Sequence, residues 1–141
     1  MIPNFPEFKK LELSDQADVE KFTSKYDPYS DFNFIEMWSW NLEDQVELSL
    51  LNHNLVIRPN DLFFNSYSLS YLGNNNLDET LEKLFALLAI KGESNAQLRL
   101  IPEVSLSGIS LEKYIISIDI NNCDYVYDLE QLKGLYGSTF V

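Results

Sequence analysis

The sequence predicts an α/β protein, more narrowly an α+β one: a mixed, mostly antiparallel sheet flanked by helices. Three observations carry that expectation. Gln45 to Leu51 alternates, with Val46, Leu48 and Leu50 on one side, and Leu55 to Arg58 returns after Asn52-His53-Asn54. Asparagine tolerates the left-handed region a tight turn requires, so this reads as a hairpin. Phe63 to Leu72 alternates again, setting Tyr67, Leu69 and Tyr71 against Ser66, Ser68 and Ser70. Leu77, Leu81, Leu84, Phe85 and Leu88 then fall on one helical face that Gly92 closes.

The remaining elements follow from local chemistry. Phe8 to Leu13 reads as a first strand, and Ser14 offers a side-chain oxygen to cap a helix. Asp15 and Asp18 lie in its first turn, where the helix dipole favours negative charge, and are expected on a solvated face. Val19, Phe22 and Tyr26 form its apolar stripe, and Asp27-Pro28 ends it because the residue before proline leaves the helical region. Ser30 is expected to cap a second helix through about Trp40, with Phe34, Met37 and Trp38 on one face and Ile35 widening it.

Asn76 with Glu79 resembles a capping box. Gln97 to Ile101 reads as a short strand, and Pro102 to Ser110 as room for one helical turn. Tyr114 to Ile120 is alternating and β-branched, hence a strand. Asn121-Asn122 turns the chain into another at Asp124 to Tyr127, and Asp128 caps a last helical piece around Leu129 to Leu135. The order is β, α, α, β, β, β, α, β, α, β, β, then helix.

Composition bounds the function. At 141 residues the chain forms one domain with room for a real core. No apolar run reaches the roughly 20 residues of a membrane span. Met1 to Pro6 lacks the basic and apolar pattern of a secretory signal. The single Cys123 excludes an internal disulfide and suits a reducing compartment, so a cytoplasmic location is expected. Ten Lys and Arg against 22 Asp and Glu give a net charge of −12, a surface that repels phosphate backbones. Direct nucleic-acid binding is therefore not expected of this chain.

The element order is that of acyltransferases of the GCN5-related N-acetyltransferase type. At residue level the resemblance narrows. Phe8-Lys9-Lys10-Leu11-Glu12-Leu13, Tyr29-Ser30-Asp31-Phe32-Asn33-Phe34, Met37-Trp38-Ser39-Trp40, Asn54-Leu55-Val56-Ile57-Arg58 and Asp124-Tyr125-Val126-Tyr127-Asp128-Leu129 resemble a bacterial family of unknown function. That family is similar to the C-terminal domain of phosphatidylglycerol lysyltransferase, and the likeness spans essentially the whole chain. The resemblance implies a tandem of two acyltransferase-like domains, which in the larger relatives moves an amino acid from aminoacyl-tRNA to a lipid. Residues 1–141 match the first domain of the pair. A second such domain is the implied partner, and a homodimer through the exposed inter-domain face is the alternative.

The residues themselves supply little catalytic chemistry. The loop from Leu72 to Glu79 occupies the place of the pyrophosphate loop, yet has one glycine, no Lys or Arg, and two carboxylates in the following helical turn. No coenzyme A or other cofactor is expected there. His53 is the one histidine and sits in a predicted turn without Cys or His partners at ligand spacing, so a zinc site is not supported. Cys123 has no basic neighbour to activate it, and no Gly-x-Ser-x-Gly elbow exists. Arg58 is expected to pair with a carboxylate such as Asp31 or to hold an anionic substrate group. Phe34 and Trp38 are expected in the core. Tyr29, Ser30 and Trp40 are expected to line a groove, and with Arg58 they form the candidate substrate-binding set. A non-catalytic domain, a stand-alone acetyl- or aminoacyltransferase, and an acidic protein-binding module all remain open.

Overall fold

A computed structural model describes residues 1–59, 67–92 and 96–134. Its centre is a four-stranded antiparallel sheet in the order β1-β2-β3-β4, formed by Lys9–Lys10, Glu47–Leu51, Asn54–Arg58 and Ser70–Leu72. Four helices accompany it among the described residues: α1 (Gln16–Thr23), α2 (Phe34–Ser39), α3 (Leu77–Ile90) and α4 (Leu129–Gly134). A parallel bridge from Leu69 to Leu98 extends the edge beyond β4.

The β2–β3 hairpin arises from its turn. Asn52 and His53 both have positive φ, 50° and 63°, so the two-residue loop carries the twist the strands require. That loop fixes the register, with Leu51 opposite Asn54 and Glu47 opposite Arg58. Side chains then alternate between two apolar layers. Leu48, Leu55, Ile57 and Leu72 meet Val19 of α1 and Phe34 and Met37 of α2. Leu51, Val56, Leu69 and Tyr71 meet Leu81, Leu84 and Leu88 of α3. Both faces of β3 are thus covered, so Leu55, Val56 and Ile57 are all buried.

A polar knot ties the two ends of this arrangement. Asn54 is fully buried at the start of β3. Its Nδ2 donates to the Asn75 carbonyl (2.8 Å) and the Thr80 hydroxyl (3.1 Å). Its Oδ1 accepts from the Asn75 backbone N–H (3.0 Å) and from Asn75 Nδ2 (3.2 Å). Every donor and acceptor of the amide is used. Gly73, at φ +123°, passes so close that a Cβ would collide with Asn54 Oδ1. Only glycine fits there. Its N–H donates to Ser105 Oγ (3.0 Å), and Tyr71 Oη donates to the Ser105 carbonyl (3.1 Å).

Several elements differ from the sequence expectations. The first strand shrinks to Lys9–Lys10, and Leu13–Asp15 is a 3₁₀ turn with Ser14 inside it rather than capping. Asp15 is buried, not solvated: Lys9 Nζ reaches its Oδ1 at 2.7 Å and the Glu12 N–H its Oδ2 at 3.0 Å. A second 3₁₀ turn, Ser30–Phe32, delays the second helix, whose cap is Asn33; its Oδ1 accepts from the Ile35 and Glu36 N–H groups. Trp38 stacks on Phe34 (6.3 Å between centroids), yet stays on the surface rather than in the core, and Ile35 is exposed. With only six helical residues, α2 buries the narrow face of Phe34 and Met37.

Asn76 precedes α3 in the left-handed region and makes no side-chain cap bond. Its amide contacts the Glu79 carboxylate instead. Gln97 to Ile101 contributes a single bridge rather than a strand. Pro102 to Ser110 does contain a turn, Glu103–Leu106, and Asp128 Oδ1 accepts from the Glu130 N–H to start α4. Tyr114 to Ile120 and Asp124 to Tyr127 form no ladder among the described residues. Their β-branched and aromatic side chains favour a pleated surface, but no described strand lies beside them to complete it. Of the expected strand Phe63 to Leu72, Ser70–Leu72 forms β4, while Phe63 to Ser66, like residues 135–141, lie outside the described residues.

Replacing Asn54 with Leu should leave the buried Asn75 N–H without its partner and take one donor each from the Asn75 carbonyl and the Thr80 hydroxyl. We expect a loss of about 2–4 kcal/mol, read as a lower urea midpoint with an unchanged slope. Gly73→Ala should also destabilise, whereas Asn74→Ala, exposed in the same loop, should be nearly neutral. Equal losses in all three variants would remove the special role of the knot.

Candidate functional site

The sheet face under α2 does not close completely. Ser30 and Asp31 of the 3₁₀ turn, Glu36, Met37 and Trp40 from α2 and its end, and Val46, Ile57 and Ser70 from the sheet surround a cavity of about 390 Å³. Pro59, Leu100 and Asn122 complete its wall. The cause is local. Helix α1 ends at Thr23, short of Tyr26 and of the expected stop at Asp27-Pro28, and the turn at Ser30–Phe32 sends Phe32 into the core while leaving Ser30 and Asp31 at the rim. The floor is apolar, formed by Met37, Val46 and Ile57, and the rim carries carboxylates.

Two acidic groups, Asp31 and Glu36, lie at this rim, and a third, Asp124, stands beside it against Ser30. Asp124, from the segment before α4, accepts from the Ser30 N–H at 3.1 Å and also from the Ser30 hydroxyl. Glu36 accepts from Trp40 Nε1 at 3.3 Å. Asp31 has part of its surface open to solvent, but loss of water around its carboxyl comes first in raising its pKa. Repulsion from Asp124 and Glu36 adds to this, and together they push it up to about 6. The rim therefore gains negative charge as pH rises through 6. No group of three His, Cys, Asp or Glu side chains among the described residues is arranged to hold a metal ion.

The structure brings Ser30 and Trp40 together at the cavity. Tyr29 lies one residue outside it, packed on the core and facing a broader, shallower depression shared with Asp124 and Tyr127. Arg58 is elsewhere. Its guanidinium binds Glu47 at 2.7 Å, the residue directly across the ladder, and lies over the Tyr67 ring at 5.1 Å. Its carboxylate partner is thus Glu47 and not Asp31, because the hairpin register places the two opposite each other. Sequence reasoning missed Glu36 at the rim and Asp124 beside it. The i, i+4 spacing of Glu36 and Trp40 was visible, but the approach of Asp124 across 94 positions was not. His53 is exposed in the β2–β3 turn, and Cys123 is exposed beside Asp124.

Chemically, this lining suits a cation with an apolar body. Carboxylates and the Trp40 ring attract an ammonium group, and the Met37, Val46 and Ile57 floor accepts hydrocarbon. No family model matches the chain, and no curated protein and no solved structure matches it.

The Asp31 shift makes a prediction with a definite sign. Its folded pKa lies above the ordinary 3.8, so the native state holds the proton longer than the unfolded chain does. Stability contributed by this group is present below about pH 4 and is lost as pH rises through about 6. Asp31→Asn should therefore raise Tm at pH 7.5 by roughly 1–4 °C, in line with ~0.2–1 kcal/mol for a solvent-screened group. It should change Tm little at pH 4. A variant less stable than the parent at pH 7.5 would contradict the repulsion.

Proposed function

We propose that this chain is a non-catalytic, acyltransferase-like domain whose groove receives an amine-bearing group, as the first half of a two-domain protein. The counterpart in its resemblance is the first domain of phosphatidylglycerol lysyltransferase-type tandems. A second acyltransferase-like domain in the cytoplasm is then its partner. The observation that carries the reading is the groove itself, with its apolar floor, the rim carboxylates Asp31 and Glu36, and Asp124 beside them. An ammonium-bearing group such as an aminoacyl moiety matches that lining, whereas an anionic phosphate group opposes it.

Two further features support it. From Lys9 to Ile90 the elements run β, α, α, β, β, β, α, the order expected of an acyltransferase-like domain. At the start of α3, the Gly73 and Asn75 N–H groups are bound to Ser105 and Asn54. Asp78 and Glu79 occupy the first turn of that helix. A pyrophosphate would have to displace those bonds and face two carboxylates, which favours a binding role over acetyl-coenzyme A chemistry.

The experiment is a thermal-shift titration with two probes, lysine methyl ester and acetyl-coenzyme A. Lysine methyl ester should raise Tm saturably at pH 7.5. The shift should shrink at pH 5, where Asp31 is protonated, and vanish in Asp31→Asn/Glu36→Gln. Saturable stabilisation by acetyl-coenzyme A, with none from the ester, would replace this reading with a stand-alone acetyltransferase.

A further inference from the structure

Between the Glu103–Leu106 turn and α4 the chain displays an unusual amount of apolar surface. Leu111, Ile115, Ile118, Ile120, Tyr125 and Val126 are all largely exposed, Ile115 completely so. Within this stretch, residues 114–120 alternate: Tyr114, Ile116, Ile118 and Ile120 lie on one side, and Ile115, Ser117 and Asp119 on the other. Tyr114 anchors the root by stacking on Phe85 of α3, with centroids 5.7 Å apart. The four even positions have the composition of a half-buried strand, yet no described strand pairs with them. Residues 114–119 run without regular structure between a turn and the 3₁₀ turn Ile120–Asn122, and an apolar segment of this composition lacking a ladder partner is a template for another chain.

We propose that residues 112–120 pair antiparallel with the same residues of a second copy of this chain, centred on Ile116. The segment's own charges select this register. Centring on Ile116 sets Tyr114 opposite Ile118, Ile116 opposite itself, and Lys113 opposite Asp119, twice by symmetry. Opposite charges facing across a ladder stabilise it, and like charges destabilise it. A parallel, in-register pair would instead stack Lys113 on Lys113 and Asp119 on Asp119. Moving the antiparallel centre to Ser117 keeps the apolar face but places Lys113 opposite Asn121 and Asp119 opposite Ile115. A one-residue slip sets every apolar residue against the other face. The present partner of Lys113, Asp78, is 3.5 Å away, and Asp119 accepts from the Asn121 N–H (3.3 Å) and Asn122 Nδ2 (2.8 Å); all these contacts are on exposed surface and are weak enough to exchange. The two-fold pair is isologous, the same edge of each copy meeting its counterpart, so the contact at that edge closes at a dimer.

The test combines oligomeric state with register. Light scattering across a micromolar to near-millimolar series should show a concentration-dependent dimer. Lys113→Glu and Asp119→Lys should each weaken dimerisation about fivefold or more, and the double exchange should restore it. In a Cys123→Ser background, Ile116→Cys should form a disulfide-linked dimer on mild oxidation, since facing Cα atoms in a ladder lie about 4.5–5.5 Å apart. Ile118→Cys should not, because its copies would be offset by about 13 Å. A chain that stays monomeric throughout overturns the proposal. So does a dimer indifferent to the charge exchanges, or crosslinking at 118 in preference to 116. Circular dichroism of each variant separates loss of pairing from loss of fold.

Discussion

The buried amide of Asn54 is the constraint on which the rest of the structure depends. A side chain of this kind costs several kcal/mol to bury unless each of its groups finds a partner. Asn75 and Thr80 supply those partners, and both belong to the segment that leaves β4 and enters α3. The same amide excludes any side chain from position 73. One residue at the end of a hairpin therefore fixes where the fourth strand stops and where the longest helix begins. Through Gly73 and Ser105 the constraint extends to the turn after the sheet.

With α3 placed by this knot on one face, α1 and α2 have only the other face to cover. They do so incompletely. Helix α2 is short because Asn33, not Ser30, starts it, and its end at Ser39 leaves Trp40 at the surface. The groove is the space that a longer helix would have filled. Its acidity follows from the same geometry, since the turn that buries Phe32 holds Ser30 and Asp31 outward. Asp124 then arrives from the far end of the chain and binds Ser30, so the rim is assembled by two segments that approach only in the folded state.

The contrast between the sheet and the segment beyond it is one of partners rather than propensity. Leu55, Val56 and Ile57 resemble Ile115, Ile116 and Ile118 in composition, yet the first set is buried and the second largely exposed. Leu55 to Ile57 have a ladder on each side and a helix on each face. Among the described residues the later stretch is anchored at its start, by the Tyr114–Phe85 stack and the Lys113–Asp78 pair. β-branched side chains gain their stability from cross-strand neighbours, so the same chemistry yields core in one place and exposed apolar surface in the other.

The sequence by itself determined the elements whose signals are local and long. The β2–β3 hairpin follows from Asn52-His53 between alternating runs. The α3 helix follows from leucines at helical spacing ahead of Gly92, and the surface charge follows from composition. It also marked Ser30 and Trp40 as groove residues, because small polar and aromatic groups gathered beside a proline break. Only the tertiary structure decided the rest. Hairpin register gave Arg58 to Glu47, burial turned Asp15 into the partner of Lys9, and the meeting of residues 30 and 124 created the acidic rim. These outcomes depend on contacts between distant positions. Residue spacing along the chain carries no information about such contacts until the sheet and helices have packed.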